Sequence, residues 1–255
     1  MRTFNDWTCR IRLFCTLWRE ENGMAAMNQA QYDRIEHPKT CAPDDFWGQV
    51  RRTVNGKPLP QEQLDLIFSM IRQALCFKPE DVLLDLCCGN GRLGFEFFDE
   101  VHSYLGVDVS PSLIEIAQKN FQRLPTRRFA LNDIHSYLNH EHDPTIFTKV
   151  MWYSSCPYFT DADLKAVLST LHERFTAVRR LFLGSLPDAP RAHNFFREGE
   201  ELPLDDHTSC IGRWFERAAL QKMTADCGWN AEIKDMPNNF YQATYRFNAL
   251  LTRRS

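Results

Sequence analysis

Three acids sit at intervals in the middle of the 255-residue chain, each closing a short apolar run. Asp85 follows Val82-Leu83-Leu84, Asp108 follows Tyr104-Leu105-Gly106-Val107, and Asp133 follows Leu131-Asn132. Asp85 leads into Leu86-Cys87-Cys88-Gly89-Asn90-Gly91, a turn built on small residues. Glycine in such a turn lets the backbone approach a ligand that a side chain would block. Residues 89–94 also fit the literal pattern GxGxxG, which by itself is a weak signal. Asp108 lies 23 residues after Asp85, where a carboxylate can accept both hydroxyl hydrogens of a ribose. Asp133 can accept from the exocyclic amine of an adenine. One such acid is ordinarily a solvated strand end. Three at successive strand ends, with a glycine turn after the first, point to a nucleoside-bearing ligand at the carboxyl edge of a sheet.

Other chemistry-bearing residues follow later in the chain. Gly184-Ser185-Leu186-Pro187-Asp188-Ala189-Pro190-Arg191, then His193, Phe195 and Phe196, combines possible bases, an anion-binding group and apolar walls. Asp188 and His193 are the candidate catalytic bases, although an Asp can equally cap a turn and a His can be an ordinary surface residue. Arg191, Tyr158 and Tyr241 are the candidate acceptor contacts. Tyr241, Tyr245 and Phe247 alternate along an expected final strand, where core packing explains them and a ring near the strand start could line a pocket. His207, Glu198, Glu200 and Glu201 are expected on a solvated lid surface.

The elements that must position these groups alternate between periods. Leu64, Ile67, Met70, Ile71, Ala74 and Leu75 recur at helical spacing after Pro60, a tolerated first-turn position. Strands are expected at 82–86, 104–109, 128–131, 149–153 and 181–185, with helices at about 92–100, after Pro111, after Thr160 and over 214–227. Ser110 is a good N-cap, Thr160-Asp161-Ala162-Asp163 resembles a capping box, and Gly228 is a natural helix stop. Two last strands, 231–234 and 241–252, are joined by a link too short for a parallel crossover. The expected fold class is α/β: a Rossmann-like, seven-stranded, mostly parallel sheet with a C-terminal antiparallel hairpin and helices on both faces. The expected organisation is a possible non-native or flexible extension over 1–23, an N-terminal helical cap over 24–77, and a ligand-binding domain over 78–255 with a lid loop at 186–212. The native start could be Met24 or Met27; alternatively, residues 1–23 form a short helix on the cap.

Composition limits the function classes. Hydrophobic residues make up 44% and charged residues 25%, with a net charge of −3, so no strong field favours nucleic acid or an anionic membrane. Nine cysteines, an odd number with no CxxC pair, argue against a disulfide framework and a zinc knuckle, and fit a cytoplasmic protein. No apolar run is long enough to span a bilayer. No metal site is expected, and the sequence is silent on oligomeric state.

On the Asp85 turn, the strand-end acids and the terminal hairpin, the chain resembles the class I methyltransferases that use S-adenosylmethionine (SAM). The resemblance spans 57–252 by element order and is sharpest over 82–134. It implies that Asp85, Cys87 and Gly89, with Asn90 and Gly91 in the same turn, line the methionine part of SAM. It implies that Asp108 holds the ribose with Val109 beside the adenine, that Asn132, Asp133 and Ile134 meet the adenine, and that Tyr153 ends its strand near the sulfonium. Cys87 stands where the family usually has its first glycine. A nicotinamide dinucleotide is the rival ligand for a glycine turn, but such sites usually lack an acid like Asp85 and the terminal hairpin. Ser155–Tyr158 loosely resembles the [DNS]PP[YF] motif of nitrogen methyltransferases, with Cys156 replacing the first proline. Residues 52–58 and 184–191 resemble segments of methyltransferases from polysaccharide and natural-product pathways. The resulting expectation is methyl transfer to an oxygen of a small-molecule or saccharide acceptor, with no nucleic acid partner. Nitrogen methylation and a non-catalytic SAM-fold partner protein are the alternatives.

Overall fold

The computed structural model describes residues 35–54, 57–196 and 204–254. The extension 1–23, Met24 and Met27, Asn55 and Gly56, and Glu198, Glu200 and Glu201 of the expected lid lie outside the described residues.

Two short helices, α1 (His37–Thr40) and α2 (Phe46–Gln49), precede a small hairpin of β1 (Thr53–Val54) and β2 (Lys57–Pro58). The chain then runs through α3 (Gln61–Leu75), β3 (Val82–Leu86), α4 (Arg92–Phe95), β4 (Ser103–Asp108), α5 (Pro111–Phe121) and β5 (Arg127–Leu131). It continues through α6 (Ile134–His140), β6 (Lys149–Tyr153), α7 (Asp161–Arg174), β7 (Arg180–Pro187), α8 (Arg217–Asp226), β8 (Trp229–Asp235) and β9 (Arg246–Arg253). The main sheet has seven strands in the order β5-β4-β3-β6-β7-β9-β8. Neighbours from β5 to β7 are parallel, and β9 is antiparallel to both β7 and β8. This is the α/β architecture expected from the sequence.

Strand alternation divides the core between the two faces of the sheet. Leu84, Leu86, Val107, Val150 and Trp152 pack against α6, α7 and α8. Leu83, Tyr104, Met151, Tyr153 and Phe182 pack against α3, α4 and α5. Helix α3 buries Leu64, Ile67, Phe68, Ile71, Ala74 and Leu75 on this second face, so it is a layer of the core rather than part of a separate cap. Local chemistry sets the helix starts. The Ser110 hydroxyl accepts the Leu113 amide with Pro111 in the first turn, and Thr160 and Asp163 form a full capping box.

Several boundaries differ from the expectation for identifiable reasons. The segment 92–100 is one α-helical turn followed by a separate 3-10 turn at Phe98–Glu100. Helix α6 was not expected; Asp133 caps it by accepting the His135 and Ser136 amides. Strand β7 continues past a register shift to Pro187, because Leu186 and Pro187 pair with Phe247 and Arg246. The lid region therefore begins at Asp188. The last strand begins at Arg246, and Tyr241 and Tyr245 precede it in a series of turns. There the amides of Phe240, Ala243 and Tyr245 are satisfied by the carbonyls of Pro237, Phe240 and Gln242.

Each fully buried aliphatic side chain on α3 contributes roughly 1.5–3 kcal/mol by removal from water. Ile71→Ala is expected to lower unfolding free energy in urea by about 2–5 kcal/mol, because it also leaves a cavity. Glu62→Ala, on the exposed side, is expected to change it by less than about 0.5 kcal/mol. Equal effects from the two would contradict the packing of α3 against the sheet.

Candidate active site

The carboxyl ends of β3, β4, β6 and β7 open onto a cavity of about 390 Å³. Its floor carries Asp85 and Cys87 from the β3 turn, Asp108 and Val109 from β4, Tyr153, Ser154 and Ser155 from β6, and Ser185 from β7. Cys87, Ser154 and Ser185 have φ values of 57°, 65° and 63°, so β3 and β6 leave the sheet through left-handed residues and β7 is kinked at one within its register shift. That conformation costs roughly 1–2 kcal/mol for a residue with a Cβ, and such strain gathers at functional sites.

The two buried acids have different partners. Asp108 accepts the Gly89 amide on Oδ2 at 2.9 Å and the Ser110 amide on Oδ1 at 2.9 Å. Asp85 accepts the Tyr104 hydroxyl at 2.7 Å. Burial pushes the Asp85 carboxyl up to about 7, with the Tyr104 hydrogen bond opposing this and the Asp108 charge adding to it. Gly91 has φ +76°, and a Cβ there would lie 2.5 Å from the Phe129 ring, so the turn closes on β5 only with glycine.

The roof comes from the segment around α2 and from the β8–β9 connection. Asn90 donates to the Phe46 carbonyl at 2.7 Å and to Gln49 Oε1 at 2.8 Å, tying α2 to the glycine turn. Trp47, Gln49, Val50 and Arg52 thereby face the cavity. The Arg52 guanidinium lies over the Tyr153 ring at 4.8 Å. Tyr153 fits across β7 because Gly184 leaves room; a Cβ there would lie 2.2 Å from the ring. On the far side, Tyr241, Gln242, Tyr245 and Arg246 close the wall, with Phe195, Cys210 and Ile211. Arg246 is only 7% exposed and donates to the Ser185 carbonyl and hydroxyl. Burial raises the Tyr153 phenol, and the charges of Arg52 and Arg246 partly offset it. Tyr241 is raised for the same first reason.

The structure brings together many of the expected site residues. Asp85, Cys87, Gly89, Asn90, Asp108, Val109, Tyr153, Tyr158 and Tyr241 all line the cavity. Tyr158 donates to the Cys210 carbonyl at 3.0 Å. Gly91, Asn132, Asp133 and Ile134 do not line it. Ile134 is buried in the core, and one Asp133 oxygen is engaged in capping α6.

The expected bases require correction. Asp188 is 1% exposed and lies outside the cavity, in ion pairs with Arg191 at 3.2 Å and Arg217 at 2.8 Å. Both arginines also reach Asp235. Arg191 is thus occupied in fixing the turn after β7 to α8 and β8 rather than contacting the cavity. His193 lies on an exposed 3-10 turn and does not line the cavity. The sequence reading missed Trp47, Gln49, Arg52, Ser185, Gln242 and Arg246. The available signal for Arg246 was a charged residue just ahead of Phe247-Asn248-Ala249-Leu250-Leu251.

Comparison with known proteins agrees with this geometry. A family model described as a methyltransferase domain matches residues 83–176. An uncharacterized RNA methyltransferase from Streptococcus pneumoniae is 38% identical over 66 residues, covering 26% of this chain and 15% of that protein. The chain thus spans about 15% of the length of the curated relatives it matches first. Magnesium protoporphyrin IX methyltransferase from Synechocystis, solved with bound SAH, superposes with TM-score 0.53 at 16% identity over 95% of each chain. A SAM-dependent methyltransferase from Clostridium acetobutylicum gives TM-score 0.58 at 15% identity over 80% of this chain and 96% of that one. Residues 83–176 thus match the family model of a methyltransferase domain, and the chain has the fold of solved SAM-dependent methyltransferases.

Proposed function

We propose that the chain transfers the methyl group of SAM to an oxygen of a small molecule held in the roofed cavity. The observation that carries this reading is one continuous cavity with two unlike halves. The β3–β4 half presents the buried acids Asp85 and Asp108, and the β7–β9 half presents Tyr241, Gln242, Tyr245 and Arg246. SAM supplies an electrophilic methyl on a sulfonium that is already a good leaving group.

The residues fit SAM on the first half. Cys87 and Gly89 turn the backbone left-handed there, and a Cβ on Gly89 would lie 3.1 Å from the Val50 side chain, leaving a narrow cradle under the roof. Asp108, already fixed by two amides, offers its carboxylate edges to ribose hydroxyls. Ionised Asp85 pairs with the methionine ammonium, and Arg52 stands opposite as the matching cation for the methionine carboxylate. Val109, half exposed at the end of β4, lies beside the adenine. Asp133 retains one oxygen for the adenine amine, since both capping bonds use Oδ1. Tyr153 sits between the halves and aligns the acceptor against the methyl, which is the main task of the protein in such a displacement.

A roofed cavity with aromatic walls, on a chain of net charge −3, suits a small molecule, saccharides included, better than a nucleic acid helix. The RNA in the names of the relatives remains an outcome of the test. A second reading, nitrogen methylation, is favoured by one observation. The Ser155 hydroxyl is buried beside the cavity with no hydrogen-bond partner among the described residues.

Three results are expected. Methyl-labelled SAM incubated with a cell extract should label the small-molecule fraction, and label confined to RNA would overturn the small-molecule reading. Ser155→Ala should leave the transfer rate within about tenfold, because a lost neutral hydrogen bond is worth roughly 0.5–1.5 kcal/mol at most; a hundredfold loss would favour nitrogen chemistry. SAM affinity should fall as pH drops through about 7, because Asp85 must be ionised to pair with the ammonium. For the ligand-free protein the sign reverses. A carboxyl raised in the folded state contributes stability that is present at low pH and lost as pH rises through about 7. Tyr104→Phe removes the hydrogen bond that lowers Asp85, so calorimetric titrations should show the affinity midpoint move to higher pH. An unchanged or lower midpoint would contradict the role of Asp85.

A further inference from the structure

Among the described residues, Arg246 is a buried cation without a buried anion. It is 7% exposed, its Nε has no hydrogen-bond partner, and no carboxylate lies within ion-pair distance of it among the described residues. The other arginines of this region, Arg191 and Arg217, both have carboxylate partners in Asp188 and Asp235. A guanidinium removed from water without a counterion is costly, which makes an anion entering the cavity its natural partner. Arg52 also lies near Tyr153 and Tyr241, but the methionine carboxylate of SAM would occupy it, which leaves Arg246 for the acceptor.

Arg246 cannot serve the methionine of SAM that Asp85 would hold. Asp85 is on β3, and the Arg246 guanidinium rests on Ser185 of β7, with β6 between them. Two strand spacings amount to about 10 Å, whereas the ammonium and carboxylate of methionine share one carbon. Arg246 therefore belongs to the acceptor half.

That half also lacks a base among the described residues. Among the described residues lining the cavity, the carboxylates are Asp85 and Asp108, both on the cofactor half, and there is no histidine, glutamate or lysine. The tyrosines are raised by burial and make poor proton acceptors. Among the described residues an alcohol would have no nearby group to take its proton, and an ammonium would be repelled by Arg246. A carboxylate needs no base, because it is ionised at neutral pH.

Resting on the reading of the chain as a SAM-dependent methyltransferase, we infer that the acceptor is a carboxylic acid, that Arg246 anchors its carboxylate, and that the product is a methyl ester. A carboxylate oxygen lone pair forms the new bond to the methyl carbon. The sulfur–methyl bond breaks, its electron pair stays on sulfur, and the products are a neutral ester and neutral S-adenosylhomocysteine (SAH). No proton is transferred. Ser185 and Gln242, whose side chains lie 3.2 Å apart, position Arg246 and close the wall behind it.

The test uses the full chain saturated with SAH and four probes of one shape: benzoate, benzyl alcohol, benzylamine and phenyl phosphate. Ligand-observed NMR should show benzoate binding about tenfold more tightly than the alcohol and amine, the gain expected of one charge-assisted contact. Arg246→Gln should remove that preference with SAH affinity unchanged, and Arg246→Lys should retain part of it. The wild-type ranking tests the proposal even if neither variant folds. Label transferred from SAM to an extract should be released as methanol by mild base. Equal binding of the three non-phosphate probes, a preference for phenyl phosphate over benzoate, or base-stable label would overturn the proposal while leaving SAH binding intact. Failure to bind SAH would instead overturn the methyltransferase reading and this one with it.

Discussion

The cavity depends on the buried carboxylate of Asp108. Its two oxygens accept the amides of Gly89 and Ser110, so one side chain joins the turn after β3 to the turn after β4. These charge-assisted bonds hold the glycine turn against the sheet and orient Ser110, which caps α5. Placing Asp85 one strand away puts a second carboxyl in the same desolvated space. The protein accommodates it by pushing its pKa up and by the Tyr104 hydroxyl. A cationic ligand group that restores the Asp85 charge would relieve this constraint.

The rest of the site is fixed by tertiary contacts that converge on this turn. Asn90 draws α2 over the cavity, so Arg52 comes to lie on Tyr153. On the far side the Asp188, Arg191, Arg217 and Asp235 network locks the end of β7 to α8 and β8, which holds the adjacent Ser185–Arg246 contact in place. The acidic half and the cationic half are thus built by different parts of the chain and meet at Tyr153. This division matches a cofactor with an ammonium at one end and an anionic acceptor at the other.

Local chemistry was legible in the sequence. The strands around Asp85, Asp108 and Tyr153, the Ser110 and Thr160 caps, and the terminal hairpin all follow from short-range patterns of apolar residues, prolines and small polar side chains. What failed were assignments that depend on distant partners. Asp188 and Arg191 look reactive in a polar loop, but Arg217 and Asp235, far along the chain, neutralise them. Tyr241 appears to continue an alternating strand, yet its neighbours' amides are satisfied in turns. Arg52 and Arg246 carry no motif; their place in the cavity follows from sheet order and from the roof over the glycine turn. Helix α6 spans only seven residues, and its main local signal is the Asp133 cap, a residue that the family resemblance gives to adenine.

The central claim is that the Asp108-centred turn binds SAM, and isothermal calorimetry with SAH and with NAD tests it most directly. The account predicts binding of SAH in about the micromolar range to the wild-type chain, at least tenfold weaker binding to Asp108→Asn, and no binding of NAD. Binding of NAD but not SAH, or SAH affinity indifferent to Asp108→Asn, would contradict it.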